Sequence, residues 1–165
     1  LSTMGVPYKI LPALATSWEE ISPTVTEFKL RQGAKFWDGT YITAEDVKWS
    51  LERSINKEHP SYVGGAFGRV LYNFEKVEIV NASTVRVHTK RPEPLKYIIL
   101  GNAPSAILSK KAFDAAASPE DFFRSPVGAG PSGSLSSNRI SILNLNLGMV
   151  TGAKNHHWKN SGTMV

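Results

Sequence analysis

Along residues 13–31 the chain alternates apolar and polar positions, ALATSWEEI and then TVTEFKLRQ, with Ser22-Pro23 between the two runs. Period-two alternation interrupted by a turn-forming pair predicts a β-hairpin, anchored by Val25, Phe28 and Leu30. Gly33 ends the second strand, and Phe36-Trp37 lead into Asp38-Gly39. That dipeptide predicts a tight reversal, because glycine adopts positive φ without a Cβ clash. The period then changes. Thr43 stands where an N-cap belongs, Glu45 and Asp46 fill the first turn, and Asp46 is spaced to close a capping box. Ala44, Val47, Leu51 and Ile55 recur at helical spacing and predict one buried stripe. Lys48, Glu52 and Arg53 are expected in water, and Trp49 half-buried off the stripe, covering a neighbouring loop or stacking a ligand.

Residues 56–68 hold Pro60, Gly64, Gly65 and Gly68, with Tyr62 and Phe67 as the large side chains. This composition predicts a loop of the kind that lines sites. A second hairpin follows in FEKVEIVNASTVRVHTKR, where Val77/Ile79 and Val85/Val87 share one face across the Asn81-Ala82-Ser83 turn and His88 points outward. Pro92 and Pro94 break the strand, LKYIIL suits a short helix or strand, and KKAFDAAA and SPEDFFRS predict two short surface helices. Ser118 caps the second of these, with Pro119 at its first position.

Composition narrows the chemistry. A chain of 165 residues, 41% apolar, supports one core. The formal charge of +5 and pI near 9.5 come from scattered basic residues interleaved with Glu and Asp, so no nucleic-acid footprint is expected. Without cysteine there is no disulfide, thiolate nucleophile or Cys-ligated metal. No run approaches the roughly 20 apolar residues a bilayer needs, and the chain opens without a signal-peptide pattern. Phosphate-loop, HExxH and G-x-S-x-G motifs are absent, and a lone His88 has no second ligand at metal spacing.

Four segments in order, LATSWEE, FKLRQGAKFWDGTYITAEDVKWSLER, VRVHTKRPEP and SPVGAGP, resemble the bacterial extracellular solute-binding proteins of family 5. These are the peptide-, dipeptide- and nickel-binding components of ABC importers. The stretch around the Asp-Gly turn resembles the family pattern F-x-L-R-x-G-x-K-F-x-D-G-x-x-x-T-A-x-D-V, and the resemblance covers about residues 12–131. It implies a mixed α+β fold of β-hairpins with short helices, an incomplete lobe of a two-lobed periplasmic-binding-protein-like architecture. Residues 1–131 would be a partial first lobe with its strand-rich subdomain, and 132–165 a tail outside the family. The implied function is binding a solute, an oligopeptide or dipeptide, between lobes that close on it, then docking on an ABC permease, without catalysis or cofactor. The implied location is periplasmic or otherwise extracytoplasmic, with a lipoprotein anchor in a Gram-positive source. With one lobe incomplete, ligand binding by this chain is expected to be weak or absent. The first-lobe ligand surface would involve Tyr62, Phe67 and Ser105, each with local packing as its alternative role. Two other classes stand beside this one: a module that self-associates through exposed apolar surface, and a serine hydrolase using Ser105 or Ser109 with His88.

The tail reads SGSLSSNRISILNLNLGMVTGAKNHHWKNSGTMV, and neither Asp nor Glu occurs after Asp121. Codons compatible with 132–137, read one base earlier, encode F-R-F-V-E-F. The same shift carried through 147 permits K-P-D-Q-Y-L-E-L-E-P, then W-D-G-Y-W through 152, and a stretch such as G-K-K-P-P-L-E-K beyond. This resembles the family's continuation. The expectation is that 132–165 is an out-of-frame translation, in which His156-His157 is no metal site and the apolar run 140–147 was never selected to pack.

Overall fold

A computed structural model describes residues 10, 12–62, 66–101 and 105–129. The first hairpin is β1 (Ala15–Ser22) and β2 (Val25–Leu30), the second β3 (Phe74–Asn81) and β4 (Thr84–Thr89). All four strands form one antiparallel sheet in the order β1-β2-β4-β3. Register explains why it buries a single face. Trp18 pairs with Phe28, Phe28 with Val85, and Val85 with Ile79, giving one apolar row across the sheet. The adjacent row is Glu19, Glu27, Arg86 and Glu78, closed by an ion pair between Arg86 Nε and Glu27 at 3.0 Å. Alternation along each strand thus sorts a core face from a charged outer face.

The apolar face is covered by α1 (Ala44–Ile55) and by α3 (Lys96–Leu100). Val47, Leu51 and Ala44 of α1 join Phe28, Val77, Val85, Val87, Leu71 and Ile107 in the core. Tyr97 of α3 packs against Trp18 and the edge of Phe28, at centroid distances of 6.0 and 6.5 Å. Its hydroxyl donates to Glu20 at 2.9 Å. The buried Lys96 ammonium reaches the same carboxylate at 3.0 Å. These contacts tie α3 to the edge strand β1.

The reversal at Asp38-Gly39 forms as expected. Gly39 has φ +82°, its N–H donates to Phe36 O at 3.0 Å, and Thr40 N–H donates to the Asp38 carboxylate at 2.9 Å. Gly33 also has positive φ, at +75°. Thr43 caps α1, accepting from Asp46 N–H at 3.2 Å, while Asp46 Oδ2 accepts from Thr43 N–H at 2.9 Å. The capping box is complete.

The structure departs from the sequence reading in three places. A short helix, α2 (Ala66–Val70), occupies the end of the glycine-rich stretch expected to be loop; local glycine content did not outweigh the tertiary contact beneath it, where Gly68 lies against Ser54. Lys48, Glu52 and Arg53 are only partly exposed. Glu52 accepts from Lys48 and from Val77 N–H at 3.1 Å, pinning α1 to β3. Trp49 is buried rather than half-buried, because α1 carries a second buried face that meets the C-terminal helices. Ile79 shares the apolar row yet remains partly exposed near the end of β3.

That second face is polar at its centre. Ser50 Oγ accepts from Leu108 N–H at 2.9 Å and donates to Leu108 O at 3.2 Å. Asp46 Oδ1 accepts from Lys110 N–H at 3.0 Å. These bonds seat the start of α4 (Lys110–Ala115) on α1. Ser109 caps α4 by accepting from Ala112 N–H at 3.1 Å, and its own N–H donates to Val127 O at 2.9 Å. Gly128 O in turn accepts from Trp37 N–H at 3.2 Å. The segment 127–129 therefore closes back on the Asp-Gly turn.

Candidate functional site

Behind Trp49 lies an aromatic cluster. Its ring sits 5.0 Å from Phe113 of α4 and 6.5 Å from Phe122 of α5 (Pro119–Arg124). Phe113 meets Phe122 at 5.4 Å, and Phe122 meets Phe123 at 5.2 Å, mostly in edge-to-face geometry. Arg53, one turn beyond Trp49 on α1, places its guanidinium 5.9 Å from the Trp49 ring and 5.0 Å from that of Phe123. Burial draws its pKa down to about 10.

The loop after α1 packs on the same cluster. His59 stands 5.6 Å from Trp49. Its Nδ1 accepts from Ser61 N–H at 3.2 Å, and Tyr62 N–H donates to His59 O at 2.9 Å. Burial is the main reason that His59 titrates below the ordinary imidazole value, with Arg53 and Lys110 pushing the same way against Glu52. Pro60, Ser61 and Tyr62 then form one wall of an open cleft of about 590 Å³, and Pro119, Glu120, Phe123 and Arg124 of α5 form the other. A smaller cleft of about 320 Å³ lies between the Asp-Gly turn and the starts of α1 and α4, lined among others by Phe36, Tyr41, Glu45 and Lys111.

Among the described residues, no contact joins the three ligand-surface residues named from the sequence. Tyr62 is 37% exposed and lines the larger cleft, with its hydroxyl beside Gly68 of α2. Phe67 belongs to the backbone of α2, and its side chain falls outside the described residues. Ser105 is fully buried, and its hydroxyl donates to Ile99 O at 3.2 Å. The hydrolase grouping is not assembled either. His88 Nε2 lies 2.9 Å from Glu78 on the sheet, Ser109 caps a helix, and Ser105 bonds α3. The tail 132–165 lies outside the described residues. Among those described, no three His, Asp or Glu residues cluster at metal-binding distance, and no helix is long and apolar enough to cross a membrane.

Sequence reasoning missed Trp49, Arg53, Phe123 and Arg124 as one group. The signal was present in part: Trp49 and Arg53 are four apart on α1, and aromatic residues recur at 113, 122 and 123. Nothing local says that these segments meet.

A one-faced antiparallel sheet with α1 and α3 on its core side has close counterparts among solved periplasmic binding proteins. The ABC transporter-associated periplasmic binding protein from Helicobacter pylori, in complex with the peptide STSA, superimposes with a TM-score of 0.66 at 29% identity, over 76% of this chain and 28% of that one. The fold is thus that of a portion of a periplasmic solute-binding protein. Residues 9–131 match the bacterial extracellular solute-binding proteins, family 5, and the chain belongs to that family. A glutathione-binding protein of Salmonella typhi is 32% identical over 128 residues, 78% of this chain and 23% of the relative. An HTH-type transcriptional regulator of Salmonella choleraesuis is 30% identical over 118 residues, 72% of this chain and 19% of the relative. The chain therefore spans about a fifth to a quarter of the curated relatives it matches. The family is described as one of extracellular solute-binding proteins.

Proposed function

We propose that this chain carries part of the ligand-receiving lobe of an ABC-importer solute-binding protein, with a peptide or peptide-like molecule as its solute and a membrane permease as its partner. The observation that carries the reading is the family match across residues 9–131, supported by the likeness to a peptide-bound periplasmic protein. The mechanism is capture without chemistry: closure of two lobes buries the solute, and the closed form engages the permease. Tyr62 is offered as a ligand contact because it is exposed on the larger cleft. Phe67 and Ser105 accompany it, and Ser105 would have to release Ile99 O to serve.

The tail from about 132 is proposed to be out of frame. In support, the family match ends at 131, and the shifted reading restores a family-like continuation. On that basis the 165-residue chain holds one side of a two-sided cleft and has weak or no solute affinity. Calorimetry with dipeptides, tripeptides and glutathione tests this. No binding tighter than millimolar is expected, and micromolar binding would overturn the impaired-binding reading. Codons incompatible with the shifted reading would overturn the account of the tail.

Self-association is a second reading with an observation of its own. Both edge strands, β1 and β3, carry exposed apolar residues, Ile21 on one and Ile79 and Val80 on the other. Unpaired edges of this kind template pairing between chains. Light scattering separates the readings, since a monodisperse monomer counts against self-association.

A further inference from the structure

Arg53 holds one donor, Nη1, without an acceptor among the described residues. Its guanidinium lies against Trp49 and Phe123. Nη1 is sealed from water and makes no hydrogen bond among the described residues. No ion pair joins Arg53 to the carboxylates of Glu52 or Asp121 among the described residues. Glu52 accepts from Lys48 and from Val77 N–H, and Asp121 accepts from Ser118 and pairs with Arg124. A desolvated cation with an unmade donor is unfavourable until an anion meets it. Phe123 connects this cation to the larger cleft, because the same ring that covers Arg53 forms part of the cleft wall. Pro60 and Tyr62 line the same cleft, as do Arg124 and Glu120.

We propose that the Tyr62 cleft receives a carboxylate borne on an aromatic or apolar body, with Arg53 as the anchoring cation. The body stacks between Tyr62 and Phe123. A rotation of Phe123 uncovers Nη1, and the carboxylate takes the empty donor in a charge-assisted hydrogen bond. Arg124, which is exposed and shared with Asp121, assists entry rather than anchoring. Glu120, which also lines the cleft, opposes an anion and sets a limit on affinity. The inference rests on the proposed ligand role of Tyr62 and goes further, assigning the chemistry of the group received and the residue that holds it.

The test uses the 165-residue chain with N-acetyl-phenylalanine as its carboxylate, its uncharged amide, and a tripeptide ending in phenylalanine. Binding is measured by calorimetry, and the Arg53 Nε–H resonance is followed by NMR. The carboxylate is expected to bind at least about tenfold more tightly than the amide and to shift the Arg53 resonance. Arg53→Gln should abolish that preference, Arg124→Gln should reduce affinity only severalfold, and Glu120→Gln should increase it. Tripeptide binding tighter than that of the single amino acid would assign the site to peptide termini, and equal binding to small free acids. Equal binding of acid and amide overturns the inference. So does an unmoved Arg53 resonance, a measurement that needs no substitution in the packed cluster. If Tyr62→Ala weakens binding while Arg53→Gln and Glu120→Gln leave it unchanged, the anchor is wrong and the role of Tyr62 survives. If no probe binds at millimolar concentration, the inference falls, whereas the weak or absent affinity proposed for the 165-residue chain stands.

Discussion

Replacing Asp46 with alanine should be far more damaging than its place in the first turn of a helix suggests. One oxygen of the carboxylate completes the capping box with Thr43, and the other accepts from Lys110 N–H at 3.0 Å, joining the starts of α1 and α4. Losing a cap interaction costs about 1 kcal/mol. Leaving a shielded N–H without its acceptor costs about 1–3 kcal/mol more. The expected loss is their sum, about 2–4 kcal/mol, against a total of about 5–15 kcal/mol for an ordinary domain. Thr43→Ala removes only the cap and should cost about 1 kcal/mol. Asp46→Asn keeps an oxygen for Lys110 N–H and should fall between the two. Urea titrations followed by circular dichroism, compared at equal slope, give the three values. If Asp46→Ala proves no worse than Thr43→Ala, the bond to Lys110 contributes nothing and the proposed seating of α4 is wrong.

Other consequences follow from the same contacts. Gly39→Ala should lose about 1 kcal/mol by denaturant titration through backbone strain alone, since φ is +82° and nothing lies within 4 Å of the added Cβ. Trp49→Ala should cost about 3–5 kcal/mol by emptying the centre of the aromatic cluster, whereas Trp37→Ala, at a side chain 49% exposed, should stay within about 0.5 kcal/mol; equal losses would refute the assignment of Trp49 to packing. For His59 the folded pKa is depressed, mainly by burial, so the unfolded chain binds more protons in mild acid. Stability should be constant above about pH 6.5, fall as pH drops from there towards the folded pKa, and then level off. His59→Asn, whose Oδ1 can replace Nδ1 as acceptor for Ser61, should remove that slope, and an identical slope in the variant would exclude His59 as its source.

What the sequence made legible was whatever neighbours decide among themselves. The hairpins, the Asp38-Gly39 reversal, the Thr43–Asp46 box and the Ser118-Pro119 start all depend on residues no more than four apart, or on period-two alternation. The site was less legible because its parts are distant. Ser50 and Asp46 look like solvent-facing polar residues until Leu108 and Lys110, 58 and 64 positions away, arrive as their partners. Arg53 looks like a surface cation until Phe123 covers it. Long-range pairing, rather than local preference, decided each of these positions.

The most direct measurement concerns the solute itself. A polypeptide continuing from residue 131 in the shifted frame, through the rest of its gene, is titrated with di- and tripeptides beside the 165-residue chain. The longer product should bind at least one of them at micromolar affinity, while the 165-residue chain binds none at that strength. Micromolar binding by the short chain, or a folded longer product that binds no peptide, would contradict the assignment of this fold to peptide capture between two lobes.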